Sequence, residues 1–116
     1  MKTLYVACSI LLALIAAASA AMDFRGTPQV RQLMHRLGYR PGFERFLGLL
    51  KAIGALGLLI GLWSHGLGIV AAIGFVLYFA MALKAHLQIG DPVREEIGAV
   101  LLLILSAVTM VTALAT

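Results

Sequence analysis

The segment DFRGTPQVRQLMHRLGYRPGFERFLGLLK, residues 23–51, decides how the rest of this chain folds. It holds six of the nine Lys and Arg residues of the protein, whereas the segments on either side are almost entirely apolar. Lysine and arginine enter the hydrocarbon core of a membrane only at a large cost in free energy, and they favour the cytoplasmic side. The segment therefore predicts where the membrane begins and which way the chain crosses it.

The composition excludes an ordinary soluble domain. Hydrophobic residues make up 62% of the 116 residues and charged residues only 12%, and a globule of this size has no interior large enough to hide so much apolar surface. The net charge of +4 is concentrated in one segment between apolar segments, which favours binding to anionic lipid head groups and argues against nucleic acid as a partner. Cys8, the one cysteine, lies in an apolar segment and is expected to pack as a small buried hydrophobe.

Four apolar segments are each about as long as a helix that crosses a bilayer. They cover residues 3–22, 42–63, 67–84 and 97–115, with turns expected at residues 64–66 and 90–92. The sequence therefore predicts an all-α membrane protein: a four-transmembrane-helix antiparallel bundle that forms a single domain over residues 1–116.

The first segment has an alternative interpretation. Lys2, the apolar residues after it and the small residues at 18–20 resemble a secretory signal with its cleavage site. Cleavage would send the following arginines to the outer side, against the positive-inside bias. We therefore favour a first helix that is retained.

A short amphipathic helix is predicted over residues 28–37, between the first and second spans. Thr27 can cap it, Pro28 suits its first turn, and Gly38 can end it in a left-handed conformation. Its apolar residues recur with helical spacing, so the helix would lie in the head-group plane. The alternative is a polar loop with some helical structure. The residues expected to contact lipid head groups are Arg31, Arg36 and Arg40.

The distribution of positive charge predicts the topology. With four spans, the first and third connections and their flanks hold eight of the nine Lys and Arg residues on one side, and Lys2 is alone on the other. The positive-inside bias then places both termini outside and the basic connections in the cytoplasm, in the inner membrane of a bacterial cell. Tyr5 and Trp63 fit interfacial positions near the outer face.

Small residues recur at helical spacing in the second and third predicted spans. Such residues allow transmembrane helices to approach closely, so we expect these two spans to meet through them. A contact between two copies of the chain is the alternative. The residues concerned are Gly54, Gly57, Gly61, Gly68 and Ala72.

Lys51 is the most informative charged residue, because it interrupts an otherwise apolar segment. A lysine at such a position extends to the membrane surface, pairs with an acid, or changes its protonation. The predicted topology brings Asp91, Glu95 and Glu96 to the same side of the membrane, and we favour Asp91 or Glu95 as its partner. The candidate polar cluster consists of Lys51, His86, Asp91 and Glu95.

The histidines do not indicate a metal or haem site. His65 and His86 lie near opposite ends of one predicted helix, about 31 Å apart along its axis. His35 and His86 are expected on the same side, but two histidines without a further ligand are a weak metal signal. No catalytic motif is recognisable in the sequence, so we predict no catalytic residue and no metal ligand.

Several motifs together resemble the DoxX-like family of small four-helix membrane proteins. They are Lys51-x-x-Gly54-Ala55-Leu56, the glycine-rich residues 66–74, and Ala85-His86-Leu87-Gln88-Ile89-Gly90-Asp91 before an uncharged last helix. The similarity covers roughly residues 24–114. It implies a four-helix bundle in a bacterial inner membrane, in which Lys51, His86 and Asp91 match a recurring polar pattern. The family takes its name from a subunit of an archaeal thiosulfate:quinone oxidoreductase, but no quinone or thiosulfate site is recognisable here.

Three functions fit these observations. The first is a non-enzymatic membrane subunit or scaffold that binds a partner protein or lipid, and the sequence favours it. The second is a redox-linked subunit that uses a lipid quinone as cofactor near Lys51, His86 and Asp91. The third is a small solute transporter, which is disfavoured because residues 3–22 contain no carboxylate.

Overall fold

In the computed structural model, the described part of the chain contains four long helices and no strand. The structure describes residues 2–26, 32, 34–36, 38, 43–88 and 93–116, and for residues 93–96 the description covers the backbone. Helix α1 spans Lys2–Arg25, α2 spans Phe43–Ile60, α3 spans His65–Gln88 and α4 spans Val93–Ala115. This confirms the predicted all-helical class.

Three of these helices are long and apolar enough to cross a membrane, judged by length and composition over the described residues. They are Lys2–Arg25, His65–Gln88 and Ile97–Ala115. The chain is therefore a multi-pass membrane protein. The second predicted span does not qualify, because α2 ends at Ile60 and its 18 residues include Glu44, Arg45 and Lys51.

Two of the differences between the helix limits and the predicted spans affect the contacts described below. Helix α1 continues past the predicted end of the first span to Arg25, and this extension makes Asp23 part of the helix. The turn between α2 and α3 comes earlier than predicted, since α3 already begins at His65. The carbonyl of Ser64 accepts hydrogen bonds from the amides of Leu67 and Gly68, at 3.1 and 3.2 Å, and so starts the first turn of α3.

The four helices enclose one apolar core. Helix α1 packs mainly against α2, and α3 packs mainly against α4, while α2–α3 and α1–α4 contacts join the two pairs. The buried side chains of the core are Leu12, Ala13, Ala16, Ala55, Leu58, Ala72, Phe75 and Phe79.

Each helix also presents large apolar side chains outward, as expected where lipid is the solvent. On α2, for example, Ile53 and Leu56 are more than half exposed, and on α3 so are Val70 and Met81. A soluble domain of this size would hide most of these side chains. The outer surface of the bundle therefore fits a lipid environment.

The predicted amphipathic helix over residues 28–37 lies largely outside the described residues. Within it, Gln32, Met34, His35 and Arg36 are helical, and Met34 is buried. Gly38 has a φ of +77° and its amide donates to the carbonyl of His35 at 3.1 Å. A left-handed residue at this place suits glycine, because it lacks a Cβ.

Candidate polar site within the helix bundle

A close approach of α1 and α2 creates the polar site. A Cβ added to Gly48 on α2 would lie 2.9 Å from the Cβ of Asp23 and 3.2 Å from the carbonyl oxygen of Ala20, both on α1. A side chain at position 48 would require one helix to shift. Because glycine has no Cβ, the two backbones can come together here. Lys51 follows Gly48 by about one helical turn, which places its side chain beside the end of α1.

Lys51 and Asp23 form a buried ion pair. The Lys51 Nζ atom donates to Asp23 Oδ2 at 2.7 Å and to Ser19 Oγ at 2.7 Å. Lys51 is 9% exposed and Asp23 is 7% exposed. Ser19 and Asp23 are four residues apart on α1, so they share one face of the helix, and both face α2.

The third helix also reaches this site. The Nζ atom of Lys51 lies 5.7 Å from the centroid of the Tyr78 ring on α3, within the range of a cation–π contact. An ammonium group has three donors, and two of them are used by Asp23 and Ser19. The site therefore joins α1, α2 and α3 around one lysine.

The charges of Lys51 and Asp23 cancel, so the ion pair adds no net charge to the apolar interior of the bundle. A buried ion pair is only weak support for overall stability, because both charges lose their hydration. Removing one partner is costly, since the other charge is then buried without compensation. The pair therefore acts as a specific connection between α1 and α2.

Lys51 has described partners other than those that the sequence predicted, and its pairing with Asp91 or Glu95 stays a prediction. The described contacts of Lys51 are made with Asp23, Ser19 and Tyr78, whereas we expected Asp91 or Glu95. Asp91 and the side chain of Glu95 lie outside the described residues. Asp23 was missed because it begins the arginine-rich segment and looked like part of an aqueous connection.

One signal in the sequence could have found Asp23. Ser19 and Asp23 have helical spacing and follow the apolar residues of the first span without a break by Gly or Pro. They therefore form a polar pair at the end of α1 that requires a donor. His86, the other member of the predicted cluster, lies in the last turn of α3, two turns beyond Tyr78, or about 12 Å along the helix.

The small residues of α2 lie against α3. A Cβ on Gly54 would meet the Phe75 ring at 2.6 Å, and one on Gly57 would meet the Cβ of Ala71 at 3.1 Å. Gly61 lies against the backbone of Gly68, and Ala72 is fully buried. As the residue number rises along α2, the number of the contacted residue on α3 falls, so the two helices run antiparallel. These residues therefore meet one another within one chain, and a contact between two copies stays a prediction.

Tyr5 is buried inside the protein near one end of the bundle, and its interfacial depth stays a prediction. It is 3% exposed, its hydroxyl donates to the carbonyl of Gly61 at 3.3 Å, and its ring meets the His65 ring edge-on at 5.6 Å between centroids. The hydroxyl also fills the space that a Cβ on Gly68 would need. Tyr5 therefore connects the beginning of α1 to the turn between α2 and α3 through a hydrogen bond and a ring contact.

Hydroxyl side chains on α4 are buried and bonded to their own helix. Ser106 donates to the carbonyl of Leu102 at 2.7 Å and Thr109 to that of Leu105 at 2.7 Å. Thr112 donates to the carbonyl of Val108 at 2.9 Å. Such bonds satisfy a hydroxyl in an apolar environment without a second helix.

The remaining predicted sites are only partly described. Arg36 is exposed on a helical segment, whereas Arg31 and Arg40 lie outside the described residues. Cys8 is a free, buried cysteine. In the ranges that the structure describes, no three His, Cys, Asp or Glu side chains are placed to hold a metal ion.

Comparison with known proteins identifies the family. The model of the DoxX-like family matches residues 7–111. A search of curated proteins and a search of solved structures returned no match. The family match includes α2, α3 and most of α1 and α4, with both partners of the Lys51–Asp23 pair, and the chain belongs to the DoxX-like family.

Proposed function

We propose that this protein is a four-span bundle of a bacterial inner membrane and acts as a non-enzymatic membrane subunit that binds a partner protein or lipid. In this arrangement α2 is the second span. Both termini lie outside, and the basic segment after α1 lies at the cytoplasmic surface.

The position of α2 beside α1 supports its assignment as a span. Near one end of the pair, Tyr5 bonds to Gly61, and near the other end Lys51 bonds to Asp23. Helix α1 is apolar enough to cross a membrane, and these two contacts keep α2 alongside it over most of its length. A helix held in this way lies at the same depth as its neighbour.

The observation that carries the proposed role is that the enclosed polar groups of the described residues, apart from the Ser9 hydroxyl, bond within the bundle. Lys51 bonds to Asp23 and Ser19, and the hydroxyls of Ser106 and Thr109 bond to carbonyls of α4. A binding site for a polar substrate instead presents groups that converge on a ligand. The arrangement therefore favours a structural use of these groups.

The basic segment supports anionic lipid as a binding partner. Five arginines occur between Asp23 and Phe46, together with only one further acidic residue, Glu44. A basic cluster beside a membrane span attracts anionic head groups by roughly 1 kcal/mol for each cation near the surface. Arg31, Arg36 and Arg40 are the residues we assign to this contact.

The experiment is to extract the protein with its native lipid into polymer nanodiscs and measure what remains bound. We expect anionic lipid to be enriched over the bulk membrane, and we expect the triple variant Arg31→Gln, Arg36→Gln, Arg40→Gln to lose that enrichment. The double variant Asp23→Asn, Lys51→Met is the matched control, since it removes a cation that is bonded inside the bundle together with its carboxylate partner. Equal lipid composition in wild type and triple variant would contradict the lipid-binding role.

The quinone-linked alternative is supported by one observation, the placement of the Lys51 ammonium beside the Tyr78 ring. A donor next to an aromatic ring could bind a quinone carbonyl. The same nanodiscs test it: about one quinone per protein in wild type, lost in Lys51→Met, would favour the redox role over the structural one. Transport remains the third function, and solute uptake into proteoliposomes that requires the protein would favour it.

A further inference from the structure

In the four-span arrangement, α2 must enter the membrane although it carries ionisable residues. Helix α2 has 18 residues, of which Glu44, Arg45 and Lys51 are ionisable. Glu44 and Arg45 lie in its first turn, at the end of the helix, where Glu44 is buried against the protein and Arg45 is exposed. Lys51 is in the middle of the helix, so its charge must enter the bundle with α2.

The charge that compensates Lys51 is on α1. Lys51 Nζ and Asp23 Oδ2 are 2.7 Å apart, and the side chains are 11% and 10% exposed. Gly48 lets the two helices approach closely enough for this contact. We propose that α2 enters the membrane only as the second half of an α1–α2 hairpin, in which Asp23 neutralises Lys51. This inference rests on the four-span arrangement proposed above.

The physical reason is the difference between one charge and a neutral pair. An unpaired lysine in a helix that enters hydrocarbon disfavours insertion by on the order of a hundredfold at the centre of the membrane, and by less near its surface. A lysine that meets a carboxylate during insertion keeps a strong hydrogen bond and carries no net charge into the bilayer. Helix α1 has a long apolar sequence before Asp23, so it can supply that carboxylate from a stable span.

The experiment locates the two ends of α2 by cysteine labelling of the full chain in cells. In a Cys8→Ala background, Ser64→Cys reports the exposed turn after α2, and Gln29→Cys reports the connection before it. A membrane-impermeant maleimide is applied to intact cells and to inverted vesicles. Labelling from opposite sides shows that α2 crosses the membrane.

The decisive variants change the charges one at a time. We expect Asp23→Asn to lower the fraction of chains with Ser64→Cys on the side opposite to Gln29→Cys by on the order of tenfold. We expect the double variant Asp23→Asn, Lys51→Met to restore that fraction, because no charge is left to compensate. Ser19→Ala is the matched control: it removes the uncharged partner of the same ammonium group and should leave insertion unchanged.

The outcomes separate this inference from the four-span arrangement. Labelling of both positions from the same side in the wild type overturns the four-span arrangement itself, and the hairpin with it. Opposite sides in the wild type with no change in Asp23→Asn overturns only the inference. The inference is also overturned if the double variant inserts α2 as poorly as Asp23→Asn does, or if Ser19→Ala lowers insertion equally. In either case the effect would not come from the uncompensated charge.

Discussion

The hydroxyl of Tyr5 occupies the space that a Cβ on Gly68 would fill, although the two residues belong to different helices. The same hydroxyl donates to the carbonyl of Gly61 at 3.3 Å. Three helical segments therefore meet around one phenol at one end of the bundle. This contact explains why a glycine is needed near the beginning of α3.

This relationship predicts a specific rescue. Gly68→Ala should lower the free energy of unfolding by about 1–3 kcal/mol, because the added methyl group overpacks the contact. Tyr5→Phe alone should cost about 1 kcal/mol through the lost hydrogen bond. In the Tyr5→Phe background, Gly68→Ala should cost clearly less than in the wild type, since the hydroxyl has gone. The free energy of unfolding is measured by reversible unfolding in mixed micelles for the wild type, the two single variants and the double variant. If the losses of the two single variants add up in the double variant, the contact is contradicted.

The approach of α2 and α3 at Gly61 gives a second prediction. A Cβ on Gly61 would lie 2.7 Å from the backbone nitrogen of Gly68, and a backbone atom cannot move aside as a flexible side chain can. Gly61→Ala should therefore destabilise the bundle by about 1–3 kcal/mol.

Gly74 supplies the matched control for this prediction. It lies on α3, and nothing is within 4 Å of a Cβ added there. Gly74→Ala should be neutral or stabilise by up to about 1 kcal/mol, because alanine favours the helix. Thermal unfolding of both variants in the same detergent decides the matter, and equal losses would count against the described α2–α3 contact.

Ser9 gives a prediction of opposite sign. It is fully buried, and its Oγ atom has no hydrogen-bond partner among the described residues. An unsatisfied buried hydroxyl costs about 1–3 kcal/mol, so Ser9→Ala should raise the free energy of unfolding by about 1 kcal/mol.

Ser106 is the control for Ser9, because it is equally buried but donates to the carbonyl of Leu102 at 2.7 Å. Ser106→Ala should be neutral or slightly destabilising. The two variants are compared by the unfolding midpoint in one detergent. A loss of stability in Ser9→Ala larger than that in Ser106→Ala would show that the Ser9 hydroxyl has a partner.

The helices could be predicted from the sequence because their cause is local. Inside a bilayer, an apolar segment long enough to cross it forms a helix whatever its neighbours are. Its backbone groups must bond to one another, since lipid offers them no hydrogen-bond partners. The left-handed Gly38 is likewise a local feature, predicted from the helical spacing of the residues before it. The end of α1 was predicted less well, since Asp23 and Arg25 are charged but remain helical.

The contacts inside the bundle were harder to predict, because they depend on how helices approach. Asp23 and Lys51 are 28 positions apart, and nothing in the local sequence of either shows that Gly48 brings them together. The burial of Tyr5 against Gly61 and Gly68 is likewise a contact that its local sequence does not show. Small residues indicated that helices would meet, but they did not indicate which polar groups would meet with them.

The most direct test of the account is the coupling between Asp23 and Lys51. The free energy of unfolding is measured for wild type, Asp23→Asn, Lys51→Met and the double variant. Removing either partner should cost about 3 kcal/mol or more, and the double variant should lose much less than the sum of the two, because replacing a whole buried pair is often nearly neutral. A coupling free energy of about 2–4 kcal/mol is the predicted result, and two single losses that simply add would contradict the buried ion pair.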